Sequence, residues 1–196
     1  MPKLYTKTGD KGKTSLYDGN RINKSSIFCD VLGMLDLLAS NIGMLISLIG
    51  KNTNSICLRK IQVILLNIGS NIAVVYEKRK NRVPKITNEH ILLLEGWIDE
   101  CEEKNSKLTD FLLTGTNQMD SQCHICRSIS RTVERSLWKL NNEYQNEIQH
   151  LKYNECINKY VEPNILKFIN RLSDYFFALS RNFATDEIKV NDIKVL

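Results

Sequence analysis

Apolar residues recur at intervals of three and four in several stretches of this chain, the spacing that lines one face of an α-helix. In Ile27–Ile49 the stripe is Val31, Leu35, Leu38, Ile42, Leu45 and Ile49. The stretch is long enough to cross a bilayer. Asp30, Asp36 and Asn41 lie inside it, however, and an aspartate at a bilayer centre costs about 2.5–3.5 kcal/mol. The pattern therefore predicts a largely buried helix of a soluble protein. Ser55–Tyr76 repeats the spacing through Leu58, Ile61, Leu65, Ile68, Ile72 and Val75. Asn88–Glu103 does so through Ile91, Leu94, Ile98 and Cys101, with Thr87 placed to cap it. Ser121–Leu140 is a fourth helix, and Pro163 suits the first turn of a fifth running to Thr185. Its stripe is Leu166, Ile169, Leu172, Phe176, Leu179 and Phe183.

The connections are polar. Lys78–Lys85 reads as a basic linker, and Ser106–Asp120 as a loop whose Phe111–Leu113 run is too short for a strand but able to pack over a site. Asn141–Glu162 is polar and irregular, the mark of an insertion. Glu147 and His150 have the Glu-x-x-His spacing of di-iron bundles, but those need two such motifs on core helices and only one occurs. No internal repeat is visible. The expectation is a single all-α domain over residues 1–196, a five-helix up-and-down bundle.

Composition changes this picture little. A net charge of +5 suits an anionic small ligand and leaves nucleic acid open. The basic run Lys78–Lys85 has no aromatic residue interleaved for base stacking, so a solvated loop is its simpler reading. Pro2–Gly19 is polar and does not resemble a secretory leader. The six cysteines show no framework spacing, so we expect reduced thiols in a cytoplasmic or mitochondrial-matrix protein. Cys123 and Cys126 have C-x-x-C spacing without a second pair, and helix packing accounts for them.

The chemistry concentrates in Tyr5–Leu16, YTKTGDKGKTSL. Glycines let backbone approach a ligand, lysines supply charge for phosphate, and hydroxyls donate to phosphate or help hold hydrated magnesium. Gly12-Lys13-Thr14 matches the end of a Walker A loop, but Lys7 stands where its first glycine belongs, and no apolar strand precedes it. The plainer alternative is a solvated basic arm. Arg127, Arg131 and Arg135 share one helix stripe, with Glu134 placed to hold Arg131. An anion would explain that gathering, and so would an ordinary exposed face. Asp36 sits among Leu35, Leu37 and Leu38, where a carboxylate needs a partner. Asn170 and Asp174 share a face of the last helix.

Together, YTKTGDKGKTSL, Gly19-x-Arg21, Lys24, the Arg127/Arg131/Glu134/Arg135 helix and NRLSDYFFALSR (Asn170–Arg181) resemble the PduO-type ATP:cob(I)alamin adenosyltransferases. The likeness runs from Leu4 to Arg181 in order. It implies a five-helix bundle assembled as a homotrimer, with sites between subunits. It implies transfer of the 5′-deoxyadenosyl group of ATP to the cobalt of reduced cobalamin, with release of triphosphate. By the same resemblance Thr6, Lys7, Thr8, Gly9, Thr14, Ser15 and Lys24 surround the phosphates, with Lys11 in the same loop. Arg131, Glu134, Arg135 and Asn170 complete the nucleotide site. Asp36 and Arg127 pair across the subunit boundary, and Phe111 lies below the corrin ring. The catalytic roles fall to Arg131, Lys11 and Phe111. His124 matches a histidine of the family's helix but receives no chemistry.

The chain departs from the family pattern at three places. Its DELNS is Asp36-Leu37-Leu38-Ala39-Ser40 here, its LPGG is Leu113-Thr114-Gly115-Thr116, and its second arginine after Arg131 is Thr132. The phosphate loop is intact. The implied reaction asks for no general base, because cobalt(I) is itself a nucleophile. It asks for positioning of the ATP C5′ carbon and for charge on the leaving triphosphate, from lysines, Arg131 and magnesium. A corrinoid reductase and an adenosylcobalamin-dependent enzyme are the implied partners, with neither nucleic acid nor membrane. The rival readings are a noncatalytic corrinoid carrier of the same fold and a basic helical nucleic-acid-binding module.

Overall fold

The computed structural model describes residue 5 and residues 7–75, 82–148 and 161–193, without the side chains of 144–148. Thr6, Tyr76 to Asn81 and residues 149–160 lie outside this description. A small antiparallel hairpin comes first, β1 (Lys13–Ser15) and β2 (Arg21–Asn23), paired Lys13–Asn23, Thr14–Ile22 and Ser15–Arg21. Five α-helices follow among the described residues: α1 (Ile27–Ile49), α2 (Thr53–Ile72), α3 (Asn88–Glu102), α4 (Gln118–Ile148) and α5 (Pro163–Phe183). A 3-10 turn spans Val190–Asp192.

Local chemistry sets the helix ends. Ser26 Oγ accepts from the Phe28 N–H at 3.3 Å and starts α1. Asn52 and Ser55 exchange two side-chain-to-backbone bonds of 2.9 and 3.0 Å and start α2. Pro163 opens α5, where a missing N–H costs nothing.

The helices pack as a bundle through α4–α5, α1–α4, α3–α5 and α1–α2 faces. The stripe of α5 is buried as its spacing predicts: Ile169, Leu172, Phe176 and Leu179 are wholly enclosed. Trp97 of α3 packs on Tyr175 of α5 at 6.2 Å between ring centroids, and Lys60 of α2 lies 5.8 Å from the Trp97 ring. Burying one such side chain contributes about 1.5–3 kcal/mol, so the α5 stripe alone supplies much of the cohesion. Cys57, Cys101, Cys123 and Cys126 are buried free thiols. Burial pushes Cys101 up to about 11 and Cys126 up to about 12, as fits packing residues.

Three expectations need correction. Helix α1 has the length and hydropathy of a membrane span and packs on α2 and α4, but it is not largely buried. Asp36 is exposed, and Leu37 and Met44 are 45% and 53% exposed. Its apolar stripe serves one side, and the other side of the same helix is also apolar. Helix α4 starts at Gln118, not Ser121, and runs on to Ile148, so the first part of the supposed insertion is helix. A polar extension without an apolar stripe hides from periodicity. Asn141 Oδ1 accepts from the Val161 N–H at 2.9 Å, tying α4 to the chain just ahead of α5.

The hairpin is the third correction, an element that apolar spacing cannot show. Its signal is Asp18-Gly19, residues of tight turns. Gly19 has φ of 89°, a conformation that favours glycine. Asp18 is buried, and its carboxylate accepts from the Asn20 N–H at 3.0 Å and the Val75 N–H at 2.9 Å. That second bond ties the hairpin turn to the chain just beyond α2.

Candidate active site

The sequence-predicted phosphate loop runs into the first strand of the hairpin and is held by hydrogen bonds more than by burial. Lys7 has φ of 57°, the left-handed conformation that lets successive N–H groups turn to one side, as in anion-binding nests. The Arg21 guanidinium donates to the Thr8 carbonyl at 2.7 Å, the Lys13 carbonyl at 3.4 Å and Ser15 Oγ at 3.3 Å. One side chain thus staples the loop to both strands. The Lys24 N–H donates to the Gly12 carbonyl at 2.9 Å. A Cβ on Gly9 would stand 3.2 Å from Lys24 Nζ, so the ammonium lies close against the loop at the glycine. Lys7, Thr8, Lys11, Lys13, Ser15 and Lys24 are exposed and Thr14 is half-buried. Thr6 lies outside the described residues.

The second group of expected residues sits on α4 and α5. Asn170 Nδ2 donates to Glu134 Oε1 at 3.0 Å. Arg171 in turn donates to Asn170 Oδ1 at 2.9 Å and to Glu95 Oε1 at 3.0 Å. The amide is therefore fixed at both ends. Arg135 donates to Thr132 Oγ1 at 3.0 Å, so the residue that departs from the family pattern orients its neighbour. A depression of about 320 Å³ beside this group is lined by Arg127 and Arg131 of α4, Asp174 and Phe177 of α5, and Glu102 of α3. Removal from water pushes the Asp174 carboxyl above the usual aspartate value, Arg171 and Arg131 pull it down, and Glu134 pushes it up.

Asp36 lies elsewhere. It lines an apolar groove of about 430 Å³ between α1 and α2, with Leu35, Leu65, Leu66 and Tyr17 of the hairpin turn. Asp36 and its own chain's Arg127 thus open on different depressions, and they form no ion pair. Likewise none of Arg131, Glu134, Arg135 or Asn170 bonds to the phosphate loop among the described residues. The sequence-predicted nucleotide residues thus fall into two groups that no hydrogen bond joins among the described residues.

Phe111 is 83% exposed on a fixed backbone. Its carbonyl accepts from the Val190 N–H at 2.9 Å, and the Leu113 N–H donates to the Ile188 carbonyl at 2.8 Å. The C-terminal segment is held in turn by Arg181, which is buried, bonds Glu187 at 2.7 Å and donates to the Ser106 carbonyl at 2.6 Å. Arg181 therefore clamps the loop, and its guanidinium also lies 3.8 Å from Glu102 Oε1 at the edge of the Arg127–Arg131 depression.

The sequence model of the cobalamin adenosyltransferases matches residues 4–183. The chain belongs to the cobalamin adenosyltransferase family. Corrinoid adenosyltransferase MMAB of Homo sapiens is 34% identical over 192 residues, covering 95% of this chain and 71% of that protein. The corrinoid adenosyltransferase of Bacillus subtilis is 35% identical over 183 residues, covering 91% and 85%. A phenylalanine-to-alanine variant of the PduO-type ATP:corrinoid adenosyltransferase from Lactobacillus reuteri, complexed with cobalamin and ATP, superposes with a TM-score of 0.79 at 28% identity, covering 95% of this chain and 98% of that one. An arginine-to-lysine variant of that enzyme complexed with ATP gives 0.76 at 29% identity, covering 95% and 99%. Both the bundle and the family resemblance stand.

Asp18, the Arg21 staple and the Glu95–Arg171–Asn170 chain are what residue reading missed. Only Asp18-Gly19 and the Arg21 position carried a signal; the Arg171 contact depends on how α3 meets α5.

Proposed function

We propose that this chain transfers the 5′-deoxyadenosyl group of ATP to the cobalt of reduced cobalamin at a site built from two subunits of a homotrimer. The activity is the family's. The observation that carries the residue assignment is the division of the site: a basic loop planted beside α2, and a guanidinium–amide–carboxylate group on α4 and α5. A ring of subunits sets one half-site against the other, and sets Asp36 against the partner subunit's Arg127. The exposed apolar side of α1 supports the same reading, because large apolar patches mark contact surfaces.

In this reading Lys7, Lys11, Lys13 and Lys24, with the Gly9 backbone, hold the triphosphate. Arg131 neutralises charge as the C5′–oxygen bond breaks and the electron pair leaves with triphosphate. The cobalt(I) electron pair forms the new bond to carbon, so no side chain need remove a proton. Asn170, fixed between Glu134 and Arg171, orients the nucleoside end. Phe111 presents its ring to the lower corrin face on a backbone that cannot drift.

Among the described residues no three His, Cys, Asp or Glu side chains gather to hold a metal. The donor set fits a magnesium ion carried in on the phosphates, met by Glu134 and by the hydroxyls of Thr8, Thr14 and Ser15. Such an ion supplies further neutralisation of the triphosphate. The buried thiols accord with a reducing compartment, cytoplasm or mitochondrial matrix, where a corrinoid reductase would supply cobalt(I) and an adenosylcobalamin-dependent enzyme would take the product.

Anaerobic incubation with ATP and cob(I)alamin tests the proposal. The expected result is adenosylcobalamin absorbance and stoichiometric triphosphate. Cobalamin binding without either product would show a carrier instead, and salt-dependent RNA or DNA binding in place of ATP binding would show the nucleic-acid module.

A further inference from the structure

Two polar groups with dense contacts have no part in this scheme, Asp120 and His124 of α4. Asp120 is 2% exposed. Its Oδ2 accepts from the Gly115 N–H at 3.0 Å, the Thr116 N–H at 2.8 Å and Thr116 Oγ1 at 3.0 Å. Its Oδ1 lies 3.2 Å from His124 Nε2. The other ring nitrogen, Nδ1, lies 3.3 Å from Arg127 Nε.

An arginine Nε always carries hydrogen, so His124 Nδ1 has to be the lone-pair nitrogen. Nε2 then carries the proton and donates to Asp120. Of the three forms of the ring, only the neutral Nε2–H tautomer satisfies both neighbours. We propose that His124, in that tautomer, is a positioning residue that holds the Arg127 guanidinium and, through Asp120, couples it to the 115–116 turn behind Phe111. One buried carboxylate then sets both the subunit-facing arginine and the corrin-facing loop. The proposal rests on the reading that Arg127 meets the partner subunit's Asp36.

The surroundings favour the neutral ring. Burial pushes its pKa below the ordinary histidine value, Asp120 raises it, and Arg127 lowers it. From α5 the ring meets Phe177 edge-on at 6.2 Å, and Asp174 of α5 and Glu102 of α3 share the groove that Arg127 lines. Where α1 packs on α4, Asn41 accepts from Gln122 Nε2 through its carbonyl and Oδ1. Acidification that protonates Nδ1 would set two donors against each other and release Arg127.

Imidazole nitrogen-15 spectra of the whole chain, with His124 assigned by its absence from His124→Gln, test the tautomer directly. A neutral Nε2–H ring at neutral pH is expected. A charged ring or the opposite tautomer overturns the proposal, whatever Arg127 does. The variants test the coupling. His124→Asn keeps an acceptor where Nδ1 stands, and His124→Gln keeps a donor where Nε2 stands. The Asn variant, which keeps the acceptor for Arg127 but loses the donor to Asp120, should fall between wild type and the Gln variant in turnover and lose the wild-type decline at acid pH, while the Gln variant loses about ten- to a hundred-fold, the range for a lost hydrogen bond to a charged group. Equal turnover of the two, with Arg127→Ala impaired, overturns the positioning role alone. If Arg127→Ala leaves assembly and turnover intact, the interface reading is what fails. Thermal unfolding of each variant separates misfolding from misplacement, and the wild-type spectrum decides if His124→Gln does not fold.

Discussion

The two half-sites are built on opposite principles. On α4 and α5 the functional groups ride on helices whose inner faces are enclosed, with Ser130, Ser173 and Leu172 at or near zero exposure behind them. Arg131, Glu134 and Asn170 are therefore placed by the core, and the Asn170–Glu134 hydrogen bond only trims rotamers. The phosphate loop has almost no core. Leu16 is its buried apolar anchor, and Asp18 and Arg21 fasten the remainder through backbone groups. One group is placed by the core, and the other is held by two polar side chains. Binding costs less when a site is preorganised, so the helical face should govern chemistry and assembly, and the loop should govern nucleotide affinity.

The sharpest break of that division is at the contact between halves. Removing one partner of a desolvated ion pair costs about 3–5 kcal/mol, mostly by stranding the other charge. On the proposed homotrimer, Asp36→Asn and Arg127→Ala should each shift sedimentation toward monomer and remove turnover with it. A double-mutant cycle should show coupling well above the roughly 0.2–1 kcal/mol of an exposed pair. Simple additivity, or a wild-type monomer that is fully active, would break the two-subunit site.

Next in size is Arg131→Ala. It is exposed and makes no described hydrogen bond, so the fold gives up little. Loss of a group that stabilises transition-state charge slows reaction by about 10²–10³. The expected signature is lowered kcat with nearly unchanged melting. A change confined to KM for ATP would move Arg131 from chemistry to ground-state binding.

The fold was open to sequence reading wherever a helix has one dry face. The α5 stripe is the clear case, and α4 fails at both ends because Gln118 and the polar turns beyond Leu140 carry no stripe. The residue types of the proposed nucleotide site were visible as well, since lysine, glycine and hydroxyl residues crowd Tyr5–Leu16. Their distribution over two faces was not, because no local pattern reports which helices pack together. Asp36 shows the limit: apolar neighbours on both sides suggested burial, whereas the helix has two apolar sides and the protomer covers one.

The loop's pins give a smaller effect. Arg21→Ala removes donors to the Thr8 and Lys13 carbonyls and to Ser15, and a hydrogen bond from a charged group contributes about 1.5–3 kcal/mol. Because Arg21 is exposed, water replaces part of this, and KM for ATP should rise about ten-fold with kcat kept. Limited proteolysis gives an independent reading. Cleavage within residues 7–15 should be faster in Arg21→Ala than in wild type, and magnesium-ATP should slow it in both. An unchanged KM would place the loop's stiffness elsewhere.

The smallest effect is expected at Asp174, and its sign separates site from scaffold. Its folded pKa is raised, chiefly because packing takes water from the carboxylate, and the attraction of Arg171 and Arg131 does not fully offset this. A group whose folded pKa exceeds its unfolded value binds protons more tightly when folded. Its contribution to stability is therefore complete below the unfolded value and is lost as pH rises through the folded one. At neutral pH the carboxylate is a small burden on the empty protein. Asp174→Asn should raise Tm slightly at pH 7, and the gain should vanish on acidification below the ordinary aspartate range. A groove shaped for stability alone would not keep such a charge beside Arg131 and Ser173. If the variant instead melts lower at pH 7, the arginine contacts outweigh the lost hydration, and Asp174 is a structural member of α5.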